Sequence, residues 1–140
     1  MRAQRFSLVV ASASAMLLAA CTPEEMPQAS DGRALFVENC AVCHGADGKG
    51  NGSMARAMRK APPDLTLISL RNRNTFPKAK VLSTIDGYTR TDMMGPGMPE
   101  FGALLEGDLV PLDTGDGVLT PTPRKLVALL EYIESIQRTR

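Results

Sequence analysis

Apolar residues recur at helical spacing in three stretches of the chain. From Asp31 towards Cys40, the positions Ala34, Leu35, Val37 and Ala41 fall roughly on one face, and Asp31 stands where an N-cap acceptor is needed. Pro77 to Asp86 predicts a second helix, with Val81, Leu82 and Ile85 as its apolar face and Gly87 as its stop. Thr122-Pro123 reads as an N-cap with proline at the first helical position. The helix it opens runs to about Gln137, carrying Leu126, Leu129, Leu130, Ile133 and Ile136 as a stripe. Between these, 46–53 is a glycine-rich loop, Met54 to Arg59 forms a short helical turn, and Ala61-Pro62-Pro63-Asp64 breaks it. No period-2 alternation marks a strand, so the pattern predicts an all-α chain without internal repeats.

The start of the chain follows a different rule. Arg2 and Arg5 precede an apolar run from Phe6 to Ala20, the pattern of a secretory signal peptide over residues 1–20. A permanent bilayer-spanning helix needs roughly 20 apolar residues, and this run is shorter. It ends in Leu18-Ala19-Ala20-Cys21, which resembles the lipobox of bacterial lipoproteins. That resemblance implies lipid attachment at Cys21 and a mature chain beginning there, anchored stably by two or three acyl chains. An uncleaved anchor helix is the alternative, and it leaves the protein on the same side of the membrane. Residues 21–30, with two prolines and two glutamates, read as the lipidated cysteine and a flexible tether, leaving 31–140 as the folded domain. Thr22 follows the cysteine where some enteric bacteria use Asp for inner-membrane retention, which leans towards the outer membrane.

Composition narrows the classes of function. The 140 residues suit one domain, and 44% of them are hydrophobic but only 4% aromatic, with no Trp. A core this poor in large rings has room for a bound apolar group. Sixteen Lys and Arg against fifteen Asp and Glu give a net charge of +1, which excludes a strongly basic nucleic-acid binder. The signs are unevenly spread. The stretch 49–90 is basic apart from Asp64 and Asp86, whereas 91–120 carries acidic residues and no Lys or Arg. These are two solvated faces or a charge dipole that orients the protein on a partner.

Cys40-Ala41-Val42-Cys43-His44 supplies the chemistry. C-x-x-C-H is the pattern of covalent c-type haem attachment, in which two thiols three positions apart add to the two vinyl groups on one macrocycle edge. The next residue, His44, then ligates the iron, and it is the only histidine in the chain. A Cys₃His zinc site would need Cys21, which lies on the tether. A thioredoxin-like pair would need a βαβ setting that is missing here.

With these features in order, the chain resembles the class I monohaem cytochromes c over roughly residues 31–138. Gly32 and Phe36 on the first helix, and Leu129 and Tyr132 on the last, match the family's helix–helix contact and are expected in the core. Pro63-Asp64-Leu65 matches the family's Pro-x-Leu, whose proline carbonyl accepts a hydrogen bond from the axial histidine's Nδ1; Pro62 is the adjacent competitor. Gly97-Met98-Pro99-Glu100-Phe101 matches the Met-Pro segment that supplies the sixth ligand, with Met93 and Met94 as rivals on the same loop. The resemblance implies a small cytochrome c fold of three to five helices around one covalently bound haem c, bound by Cys40, Cys43, His44, Pro63 and Met98 with His44 and Met98 on the iron. It implies an apolar shell of Phe36, Leu65, Ile85, Phe101 and Leu129. The segment between Phe101 and Thr122 is longer than in the smallest members and is expected to be a surface insertion.

The expected function is single-electron transfer by a membrane-tethered periplasmic carrier rather than catalysis. Redox proteins are the expected partners, docking through charged surface near the haem edge, where Lys49, Arg56, Arg59 and Lys60 follow the motif; no nucleic acid is expected. Two other readings stay open at this point. One is a haem-bearing subunit of a larger dehydrogenase or oxidase complex. The other is a haem enzyme or gas sensor with an open sixth site, which would need a distal His or Arg, and Arg90 is the only basic residue near the methionine loop.

Overall fold

The computed structural model describes residues 25–58, 60–88 and 97–139. The signal peptide, Cys21, Arg59, Arg90, Met93 and Met94 lie outside the described residues. Among the described residues are six α-helices and one two-stranded sheet. The first helix, α1, spans Ala29–Asn39, three residues earlier than an Asp31 cap would start it. Gln28 takes the cap position, and Asp31 sits inside the first turn, where its carboxylate accepts the Gln28 amide at 2.9 Å. The buried face also differs from the one predicted: it consists of Gly32 and Phe36, while Ala34 and Val37 face solvent. After Cys40, α2 covers Ala41–His44, and α3 covers Ile68–Arg71 behind a 3₁₀ turn at Leu65–Leu67. The helix α4, Lys78–Asp86, buries Val81, Leu82 and Ile85 and stops at Gly87, whose φ of 99° is the left-handed C-cap expected there. The short helix α5 is Gly102–Leu105, and α6 is Arg124–Ser135.

Two observations organise the core. The helices α1 and α6 cross at Gly32, where a Cβ would overlap the Ala128 carbonyl oxygen and press on Tyr132. Only a residue without a side chain allows that approach. One turn later the Phe36 and Tyr132 rings meet at 5.1 Å between centroids, tilted by 53°. Around this crossing α6 is buried on almost every side, with Leu126, Val127, Leu129, Leu130 and Ile133 in one apolar cluster with Phe36, Val81, Leu82 and Ile85. The four residues expected in the helix–helix contact are all buried there.

The insertion is a folded element. Strands β1, Leu109–Asp113, and β2, Leu119–Pro123, pair antiparallel, with Leu109 opposite Pro123, Pro111 opposite Pro121 and Asp113 opposite Leu119. Val110, Leu112 and Thr122 are buried. Thr122 and Pro123 therefore belong to the strand, and the helix begins one residue after Pro123. The fold is mostly helical, with this hairpin added. No helix among the described residues is long and apolar enough to cross a membrane.

Candidate functional site

The Cys-x-x-Cys-His segment is set by the end of α1. The Cys40 amide closes the last turn on the Phe36 carbonyl at 2.8 Å, and the His44 amide returns to the Cys40 carbonyl at 2.9 Å. The glycine-rich loop then folds back on the motif, with the Gly50, Gly52 and Met54 amides bonding the His44, Cys43 and Val42 carbonyls. These bonds hold His44 buried and keep Cys40 and Cys43 half-buried as free thiols. Burial, with the neighbouring Cys43 second, pushes the Cys40 thiol up to about 11. Burial also lowers the His44 pKa, so at neutral pH its imidazole is uncharged, the form that ligates a metal.

His44 Nδ1 is buried and meets no acceptor at hydrogen-bond geometry. The backbone carbonyl of Pro63 is still close enough to raise the imidazole pKa against the stronger effect of burial. The Pro62 carbonyl, its competitor, packs instead against Gly50, where a Cβ would overlap it. The proline segment is itself well fastened. Asp64 accepts from the Thr66 amide and hydroxyl at 2.9 and 2.7 Å, and the Leu65 amide bonds the Gly48 carbonyl at 2.7 Å. From the far end of the chain, Gln137 bonds the Leu65 carbonyl and the Ser69 amide, and the Arg138 amide bonds the Thr66 carbonyl.

Two adjoining cavities of about 350 and about 520 Å³ open beside His44. Cys40, His44, Pro63, Leu65, Thr84 and Met98 line both. Phe36, Ile85 and Leu129 wall the first, and Cys43 and Phe101 wall the second. Met98 is half-buried against the core cluster, and its segment is pinned to α4 by the Phe101 amide on the Ile85 carbonyl at 3.1 Å. The five expected shell residues are thus brought together with the two cysteines, His44, Pro63 and Met98.

The expected basic rim is only partly there. Lys60 lines the second cavity with Cys43, whereas Lys49 and Arg56 line neither, and Lys49 pairs with Asp47 at 3.3 Å. The sequence reading missed Arg71 and Lys80, exposed cations that line the first cavity from α3 and α4. Arg71 is oriented by donating to the Asp64 carbonyl at 2.8 Å.

A family model described as cytochrome c matches residues 29–137. The chain belongs to the cytochrome c family. Comparison with curated proteins and with solved structures found no match. As a c-type cytochrome the protein binds haem c covalently and works in haem-based electron transfer, and Cys40, Cys43 and His44 form its C-x-x-C-H motif. The cavity fits that group on its own terms. It presents two free thiols, a buried neutral imidazole with an unsatisfied Nδ1, apolar walls, and at its open side cations that suit the two carboxylates of a haem. Domains of this family are typically exported.

Proposed function

We propose that this cytochrome carries a single haem, ligated by His44 and Met98, and passes single electrons while a lipid on Cys21 tethers it to the periplasmic face of a bacterial membrane. The observation that carries the axial pair is that Met98 alone among the described methionines joins His44 in lining both cavities; Met58 reaches only the second. One C-x-x-C-H and one histidine in the whole chain support a single haem without His/His ligation. The lipid anchor rests on the Leu18–Cys21 pattern alone.

When bound, the haem supplies a one-electron ferric/ferrous couple. The protein's own residues do the rest. Cys40 and Cys43 fix one edge as thioethers, and His44 stays neutral and ready to donate through Nε2. The Pro63 carbonyl beside the imidazole is the acceptor available to Nδ1–H, a bond that would fix the ring and strengthen it as a donor. The Met98 thioether, a soft neutral donor, favours ferrous iron and raises the potential. Phe36, Leu65, Ile85, Phe101 and Leu129 exclude water, which keeps rearrangement small when the charge changes. Lys60, which lines the second cavity with Cys43, offers a positive charge to an acidic redox partner.

The test is Met98→Ala. The long-wavelength band that marks sulfur ligation of ferric haem is expected to disappear, and the reduction potential to fall by on the order of 0.1 V, within the range that axial ligands command. The ferrous form is expected to bind carbon monoxide. All three properties unchanged would assign the sixth ligand to Met93 or Met94.

A further inference from the structure

The hairpin is the part of the fold that the cavity does not use, and its two faces differ. Inward lie the buried Val110, Leu112 and Thr122. The outer face carries Leu109, Pro111 and Asp113 opposite Pro123, Pro121 and Leu119. Leu109 is 57% exposed, Leu119 65%, and the adjoining Val118 59%. Three aliphatic side chains held in water on one small element, with prolines between them, make a patch of the kind that marks an interaction surface.

The entry of the chain says what lies opposite that patch. Arg124 donates through Nη1 to the Glu25 carbonyl at 2.7 Å, and its amide bonds the Asp108 carbonyl at 2.8 Å. Glu25 is therefore tied, through the Arg124 side chain, to the residue that closes the base of the hairpin. Cys21 stands four residues before it, and four residues reach at most about 14 Å. The hairpin strands, five residues each, are about 17 Å long. A lipid on Cys21 is thus within reach of the hairpin.

We propose that Leu109, Val118 and Leu119 rest in the headgroup layer of the bilayer that holds the anchor, so that the cytochrome is oriented as well as tethered. The inference rests on the reading of Cys21 as the lipidated residue. It commits to a zwitterionic surface, because the acidic Glu106, Asp108, Asp113 and Asp116 on and beside the hairpin outnumber Arg124 and Lys125 at its base, which disfavours an anionic one.

The experiment uses the haem-loaded chain from Cys21 onward, with that thiol coupled to maleimide-bearing phosphatidylethanolamine in phosphatidylcholine vesicles. Coupling makes the result independent of natural acylation, which is read separately from the mass of the native N-terminal peptide. Amide exchange across 109–120 is expected to slow by about tenfold relative to the uncoupled chain, a factor that burial of one leucine side chain is enough to supply. The double variant Leu109→Ser with Leu119→Ser, its haem spectrum unchanged, is expected to lose the protection. Replacing half of the lipid with phosphatidylglycerol is expected to weaken it. Equal exchange in coupled and uncoupled chains would overturn the proposal. So would protection that arises without vesicles and grows with protein concentration, which marks contact between two copies.

Discussion

At the scale of single residues, the site depends on a few polar atoms with little freedom. Asp64 fastens the turn that presents the Pro63 carbonyl to His44, through the Thr66 amide and hydroxyl. Asp64→Ala removes this cap and should destabilise the folded protein by about 1 kcal/mol, measured by denaturant unfolding. It should also loosen the His44 ring, seen as a changed His44 signal in the paramagnetic NMR spectrum. A second carboxylate works in the open. Asp113 accepts the Gly115 and Gly117 amides at 2.7 and 3.0 Å, and chiefly these bonds hold its pKa below the ordinary 3.8. A folded-state pKa that is depressed gives a contribution fully present above 3.8 and lost as pH falls through the lower value. The Gly115 and Gly117 amide shifts should therefore titrate together, with a midpoint below 3.8 that vanishes in Asp113→Asn. The motif at 40–44 was readable because covalent attachment demands fixed spacing. Arg71 and Lys80 were not, since they meet only where α3 and α4 border one cavity.

At the scale of elements, the crossing of α1 and α6 dominates. Gly32→Ala should raise helix propensity slightly, yet the added methyl would strike the Ala128 carbonyl, which is backbone and has nowhere to go. The clash should win, with a net loss of about 1–3 kcal/mol in chemical denaturation. This crossing also explains why hydrophobic periodicity misread α1. The face it buries holds a glycine, which no hydrophobicity pattern detects, while Val37 and Ala34 face water. The last helix was legible because a long, almost wholly buried helix carries more apolar positions than any register error removes. The hairpin was invisible for the opposite reason. Apart from Asp113 its outward positions are leucines and prolines, so inward and outward residues look alike and the expected alternation is erased.

Across the whole molecule, the cavity lies among segments drawn from residue 36 to residue 133, with the chain's last turns clamping the proline segment. The fold class was legible because one cofactor motif and three amphipathic stretches suffice to fix it; the charge layout was legible only as a trend. If positive groups at the open side guide a partner, electron-transfer rates should drop about tenfold between roughly 0.01 and 0.15 M salt, as the screening length shrinks from about 30 to about 8 Å. Stopped-flow rates with the native partner, compared between the wild type and Lys60→Glu, check this; a flat salt profile would remove the guiding role. One feature of the hairpin matters most where many copies share a surface. Prolines can face each other in an antiparallel pair only at sites that exchange no backbone bonds, so Pro111 and Pro121, with Pro123, occupy positions whose amides would otherwise point outward along the two rims. Those rims have lost three donors, and a neighbouring molecule finds too few to extend the ribbon. Crowded copies are thereby kept from stitching themselves into a continuous sheet.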